Sequence, residues 1–428
     1  MRTFLKNLAQ QPLMLGCLVF GFQLLVIIGV CPEKNWGDAW LSMASHWDSE
    51  WYQAIAQYGY LNLDGPAHCG LHNANVVFFP GYPYLARGLV LGLNLDPRVA
   101  LLLVAQAATL GFWCCLFYIV RHLSFKQQFY AAGLILAFPT SWFLCMAYAE
   151  SLFILSCCMM LKWVTEQRWV GSGLSGILMT ATRLIGLPVI AAPLFARCIL
   201  HYQSIKSAIQ NKNKIWIQEE LLRPNLIIAL GGMGCMGFLI YCAYYWGSWH
   251  LYFDMERLHW SGAADPFFLF QLPTWLPPPW GYRLDMAPEL PNLWAKILPF
   301  KYYRVAAYTF SEILVPVFMW LELFFIYRWV KYSRPINEKS FTWFVANLLI
   351  LLFTCFSLAS RHYESMSRCL LPVWVLLVIS DALNVRGSFW FCPAPSIIQQ
   401  VMTGGVLILG IGFWFELLNR FFLGWWVA

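Results

Sequence analysis

The chain has 428 residues, of which 60% are hydrophobic, 18% aromatic and only 11% charged, whereas a soluble globular domain carries about 25% charged residues. That composition excludes a water-soluble enzyme. The formal net charge of +7 is explained by loops facing an anionic inner leaflet, so nucleic acid is not expected as a partner.

Taken in chain order, the apolar runs predict about eleven membrane-crossing helices, each near the roughly 20 residues a bilayer core requires. They cover 13–30, 99–120, 128–143, 149–164, 169–182, 184–200, 225–246, 305–327, 341–359, 369–383 and 398–418. The run at 13–30 follows Arg2 and Lys6 but shows no cleavage pattern before Glu33 and Lys34, so it is expected as a retained span. The pair 169–182 and 184–200 could equally form one helix kinked near Pro188. None of the runs alternates with a period of two, which excludes a transmembrane barrel. No repeat or flexible linker interrupts the pattern, so residues 1–428 are expected to form one integral membrane domain.

With the N-terminus inside, more than half of the 28 basic residues fall on the inner side, in dense short loops such as those carrying Arg121, Lys162, Arg168 and Lys206. Two long loops then face the non-cytoplasmic side, 31–98 and 247–304, both rich in Trp, Tyr and Pro. Loops of that length without low complexity are usually functional. The 14 cysteines lie mostly inside apolar runs, where Cys behaves as a small hydrophobe. Cys31 and Cys69 share the first long loop and could bridge in an oxidising compartment.

The first loop carries the most informative stretch, Ser45-His46-Trp47-Asp48-Ser49-Glu50-Trp51-Tyr52. Helical spacing predicts an apolar stripe of Trp47, Trp51 and Ile55, as on a helix resting at the membrane surface. Asp48 admits two readings: a capping-box acid three residues after Ser45, or one of a carboxylate group with Asp38 and Glu50. His68 and His72 flank Cys69 but lack two further ligands, so zinc is not expected.

Trp47-Asp48-Ser49, Ile55-Ala56, Gly59-Tyr60 and Phe78-Phe79-Pro80 with Pro83 resemble the signature of the PIG-V family, the GPI mannosyltransferase II-like membrane enzymes. Ala147-Tyr148-Ala149-Glu150-Ser151-Leu152-Phe153 and Ala181-Thr182-Arg183-Leu184-Ile185-Gly186 look similar to later family segments. The resemblance covers roughly the N-terminal half. It implies an all-α polytopic GT-C glycosyltransferase that takes mannose from a polyprenyl-phosphate carrier, on the periplasmic or luminal side, with inversion at the anomeric carbon. The implied partners are the lipid-linked donor, a lipid or glycan acceptor and membrane lipids. Short inner loops and no evident ER-retrieval tail point to a bacterial relative in the inner membrane.

Such a transfer needs a base for the acceptor hydroxyl and fixed cations for the leaving phosphate. Asp48 is the expected base, with Asp38 and Glu50 in reserve. Arg183, which interrupts an apolar region, and Arg361 and Arg368, from the charged turn 360–369, are the expected phosphate ligands. Trp47, Tyr52 and Glu150 are expected to contact substrate, with Glu150 also able to pair with Arg183. No metal site is expected, although Asp38 and Asp48 leave a divalent cation open. The alternative is a transporter or flippase, for which Glu312 and Glu322 within one span are the supporting pair.

Overall fold

The computed structural model describes residues 11–61, 74–259, 323, 327, 338–360, 368, 370–383, 390–391 and 396–424. Among the described residues every regular element is helical. In chain order these are α1 (Pro12–Val30), α2 (Trp36–Ser42), α3 (Asp48–Tyr58), α4 (Gly81–Leu93), α5 (Pro97–Ile119), α6 (Phe125–Leu136), α7 (Glu150–Thr165) and α8 (Trp169–Thr182). They continue with α9 (Gly186–Leu200), α10 (Tyr202–Gln210), α11 (Lys214–Trp246), α12 (Leu251–His259), α13 (Glu338–Ser360), α14 (Leu371–Leu383) and α15 (Ile397–Phe422).

Helix boundaries follow local chemistry. Pro12 and Pro97 open α1 and α5, where a missing N–H costs nothing. Asp96 caps α5 by accepting from the Arg98 amide at 2.9 Å. Capping boxes start α6 at Ser124 with Gln127 and α15 at Ser396 with Gln399. Gly247 ends α11 in the left-handed conformation, φ 72°.

Among the described residues four helices are long and apolar enough to cross a membrane: Pro12–Val30, Pro97–Ile119, Lys214–Trp246 and Gln399–Phe422. Shorter apolar helices run over Gly186–Ile199, Phe341–Leu352 and Leu371–Leu383. One expected span is corrected. The run 128–143 is not one helix, because α6 stops at Leu136 and a 3₁₀ turn follows at Ser141–Leu144. The runs 169–182 and 184–200 are two helices, broken where Arg183 turns to extended backbone. The expected span 305–327 lies almost wholly outside the described residues, as does most of the loop 247–304.

The buried apolar residues form two layers along the helix axes. One gathers the end of α5, the second half of α6, α7, α13 and α14, and includes Phe112, Phe117, Leu134, Leu161 and Val378. The other gathers the start of α5, α3, α4 and the end of α15, and includes Ile55, Phe79, Tyr82, Phe143 and Phe421. Close approach of α8 and α11 depends on small residues. A Cβ on Gly173 would meet the Ile227 carbonyl at 2.6 Å, and one on Gly234 the Ile177 carbonyl at 2.1 Å.

Within α11 a π-helical turn spans Ile217–Leu222, just before Pro224. Proline cannot donate to the carbonyl four residues back and its ring crowds that oxygen. The Glu220 carbonyl is instead taken by Arg197, whose Nη2 donates at 2.5 Å.

Between α6 and α7 the chain leaves regular helix, yet every residue from Thr140 to Glu150 is buried. Irregular backbone at that depth needs partners from the surrounding protein. Three helices supply them. Gln23 of α1 donates to the Ser141 carbonyl at 3.1 Å and accepts from Trp113 Nε1 at 3.0 Å. Thr109 of α5 donates to the Leu144 carbonyl, and Trp414 of α15 donates to the Ser141 hydroxyl at 2.9 Å. This braced segment delivers Glu150 to the head of α7.

Candidate functional site

The loop 31–98 folds back onto the bundle as α2, α3 and α4 with two 3₁₀ turns. The first of these helices is tied down at Ala147, whose amide donates to the Met43 carbonyl at 3.1 Å. Tyr148 donates to the His46 carbonyl at 3.0 Å, and Ser49 Oγ reaches the same oxygen at 2.7 Å. These bonds hold a turn in which Trp47 has φ 58° and ψ −122°. A bulky residue in that region stores about 1–3 kcal/mol of strain, a feature that concentrates at functional sites.

The consequence is local and definite: α3 begins at Asp48 itself. The capping-box reading is therefore corrected. Trp47 is the N-cap, without a side-chain cap, and the Ser45 hydroxyl donates to the Leu41 carbonyl. Asp48 points to Arg368, whose Nη1 donates to its Oδ2 at 2.6 Å. The expected stripe is corrected as well. Trp51, Tyr52, Ile55 and Ala56 form the buried face, packed against protein and not laid on a membrane surface, while Trp47 is 39% exposed. Trp51 stacks on Phe78 at 5.4 Å, and Tyr52 meets Phe78 and Tyr82 edge-on.

Glu150 is the first residue of α7, where a carboxylate also benefits from the helix N-terminus. Its Oε1 receives two arginines, Arg183 Nη1 at 2.8 Å and Arg368 Nε at 3.0 Å. Arg183 reaches it because α8 ends there in extended backbone. Gly81 permits the fit from the other side, since a Cβ on it would strike the Ala181 carbonyl at 2.7 Å. The snorkelling alternative for Arg183 is excluded by this pairing. The guanidinium of Arg368 also lies 5.6 Å from the Phe143 ring centre and 5.4 Å from that of Tyr148, within the range of cation–π attraction.

The result is an alternating row, Arg183–Glu150–Arg368–Asp48, with formal charges that cancel. It is graded in burial. Side-chain exposure is 3% for Glu150 and 7% for Arg368, rising to 14% for Asp48 and 24% for Arg183. The outer members of the row face the more open side. Tyr52 stands near both carboxylates. Burial, reinforced by the charges of Glu150 and Asp48, holds its phenol above the usual tyrosine range. His46 is held below its ordinary value by burial, with Glu50 opposing.

Of the residues expected from sequence, Asp48, Glu150, Arg183, Arg368 and Tyr52 come together. Asp38 does not join them: it is exposed on α2, with Asn35 as its partner. Glu50 faces His46 on the far side of the turn. Arg361, Cys69, His68, His72, Glu312 and Glu322 lie outside the described residues. Cys31 lies 3.1 Å from the Ser42 hydroxyl. Among the described residues no group of three His, Cys, Asp or Glu side chains could hold a metal. The buried supports Gln23, Gln106 and Thr109 were not anticipated. Their signal was available, since polar side chains inside apolar runs require a partner.

No family model matches the chain, and no solved structure matches it. The sequence is similar to the GPI alpha-1,6-mannosyltransferase 2 of Cricetulus griseus, 30% identical over 192 residues. The alignment covers 41% of this chain and 36% of that protein, so the chain spans just over a third of the length of the curated relative it matches.

Proposed function

We propose that the protein is an integral membrane mannosyltransferase of the GT-C type, taking mannose from a polyprenyl-phosphate carrier and passing it to a lipid or glycan hydroxyl. One observation carries the reading: two carboxylates and two arginines from separate parts of the chain are gathered in one largely buried row, Asp48 with Arg368 at 2.6 Å and both arginines on Glu150. The similarity to a mannosyltransferase supports the choice of chemistry.

Asp48 takes the proton of the acceptor hydroxyl as its oxygen bonds to the anomeric carbon. The bond from that carbon to the phosphate oxygen breaks, and its electron pair leaves on the phosphate. Attack from the face opposite the phosphate inverts the anomeric centre. Arg183 and Arg368 meet the charge that develops on the phosphate. Donor phosphate and Asp48 compete for Arg368, so donor binding loosens the resting ion pair and frees the base. A lipid-linked donor explains why the site lies in a membrane bundle. The positive-inside pattern supports a site on the non-cytoplasmic side.

The test is mannose transfer by purified protein in liposomes, with polyprenyl-phosphate mannose and a lipid extract as acceptor source. Wild type is expected to transfer mannose and Asp48→Asn to lose at least about a hundredfold in rate. An Asn variant as active as wild type removes Asp48 from the base role.

A further inference from the structure

We infer that Glu150 is a positioning residue that touches neither sugar nor phosphate: it draws Arg183 and Arg368 onto one point and, through Arg368, sets the direction of Asp48. The inference rests on the transferase reading above and assigns a role that the reading leaves open.

Three observations carry it. A single oxygen, Oε1, receives both guanidinium groups, at 2.8 and 3.0 Å. Two cations meeting at one atom would repel each other without the anion between them. The second oxygen, Oε2, is buried and has no hydrogen-bond partner among the described residues. A carboxylate that served a sugar hydroxyl would present an oxygen to the open side of the row, where Asp48 and Arg183 are more exposed than Glu150. Finally, the backbone that carries Glu150 is braced from α1, α5 and α15. Its carboxylate is thus the best-fixed member of the row.

An arginine fork offers several N–H groups in one plane. Arg183 donates one N–H of its fork to Glu150, and the Arg368 guanidinium lies against the same oxygen as an ion pair, so the two cations are held at a common corner. Arg368 passes the constraint on, since its Nη1 holds Asp48.

The experiment compares wild type, Glu150→Gln, Glu150→Asp and Arg183→Gln by steady-state transfer, and by binding of polyprenyl phosphate to the same proteins. For Glu150→Gln, kcat is expected to fall about tenfold to a hundredfold, within the range of lost orientation. Binding of polyprenyl phosphate should weaken less than in Arg183→Gln, because the variant keeps both cations. Glu150→Asp restores the charge, while its shorter reach keeps kcat low. Arg183→Gln should weaken polyprenyl phosphate binding.

A rise in KM for the donor with kcat unchanged would mean that Glu150 contacts the sugar, and overturns the inference. So does a Glu150→Gln protein with wild-type constants and only a lower thermal midpoint. If wild type binds polyprenyl phosphate but transfers no mannose, the transferase reading fails, and the binding series alone decides the role of Glu150. In that case, weakening in Glu150→Gln equal to that in Arg183→Gln overturns the inference.

Discussion

The two ends of the bundle handle charge in opposite ways. At one end Asp48, Glu150, Arg183 and Arg368 come from positions as far apart as 320 residues, lie largely buried and cancel in charge. At the other, about 18 Å along α7 at 1.5 Å per residue, Lys162 and Arg168 surround Glu166, which also accepts from Tyr118 at 2.8 Å. Arg121 lies over the Tyr118 ring at 4.1 Å and Lys162 over Trp163 at 3.5 Å. These partners are near in sequence, carry excess positive charge and leave Arg168 68% exposed. The second arrangement orients a chain in a membrane and costs little. The first is expensive to bury, which makes it the candidate functional end.

Breaking the buried row should give the largest effect. Arg368→Gln takes from Asp48 its described cation and leaves Glu150 with Arg183 alone, so a loss of about 3–5 kcal/mol in stability is expected, together with transfer; chemical denaturation in detergent measures the first. An unchanged denaturation midpoint would erase the contrast between the two ends. Asp48→Asn should separate activity from folding, losing transfer as described while destabilising less than Arg368→Gln, because Glu150 remains beside Arg368. Thermal midpoints of the two proteins, side by side, check that order. Gln23→Leu removes the donor to the Ser141 carbonyl and the acceptor for Trp113, and should cost about 1–3 kcal/mol per stranded group, read from the same denaturation curves. Arg168→Gln should change stability by less than about 1 kcal/mol and leave transfer intact; a loss of transfer there would show that the basic end is more than a topological signal.

The helices were largely legible in sequence because a bilayer admits few alternatives to apolar runs, and Pro12, Pro97 and the Ser124 and Ser396 boxes mark the starts. Where the reading failed, a tertiary demand had overridden a local pattern. Residues 128–143 are apolar enough to suggest one helix, but the segment after Leu136 is bonded by Gln23, Thr109 and Trp414, none of them near in sequence. Ser45 and Asp48 have capping-box spacing, yet the strained turn at Trp47 moves the helix start and turns the acid toward Arg368. The candidate residues themselves were readable as charges placed among apolar neighbours. Their pairing was not, since nothing in a linear sequence says that Glu150 serves two arginines from opposite halves of the chain.

The bracing of Thr140–Glu150 also bears on the order of synthesis. Gln23 and Thr109 are made before the segment they hold, but Arg368 and Trp414 emerge more than 200 residues after Glu150. Until then the nascent chain has Asp48 and Glu150 beside Arg183 alone, an unbalanced acidic group at the rim of a half-built bundle. The row is therefore completed only once residues more than 200 positions beyond Glu150 have been translated, and an N-terminal half without Arg368 lacks the guanidinium that holds Asp48.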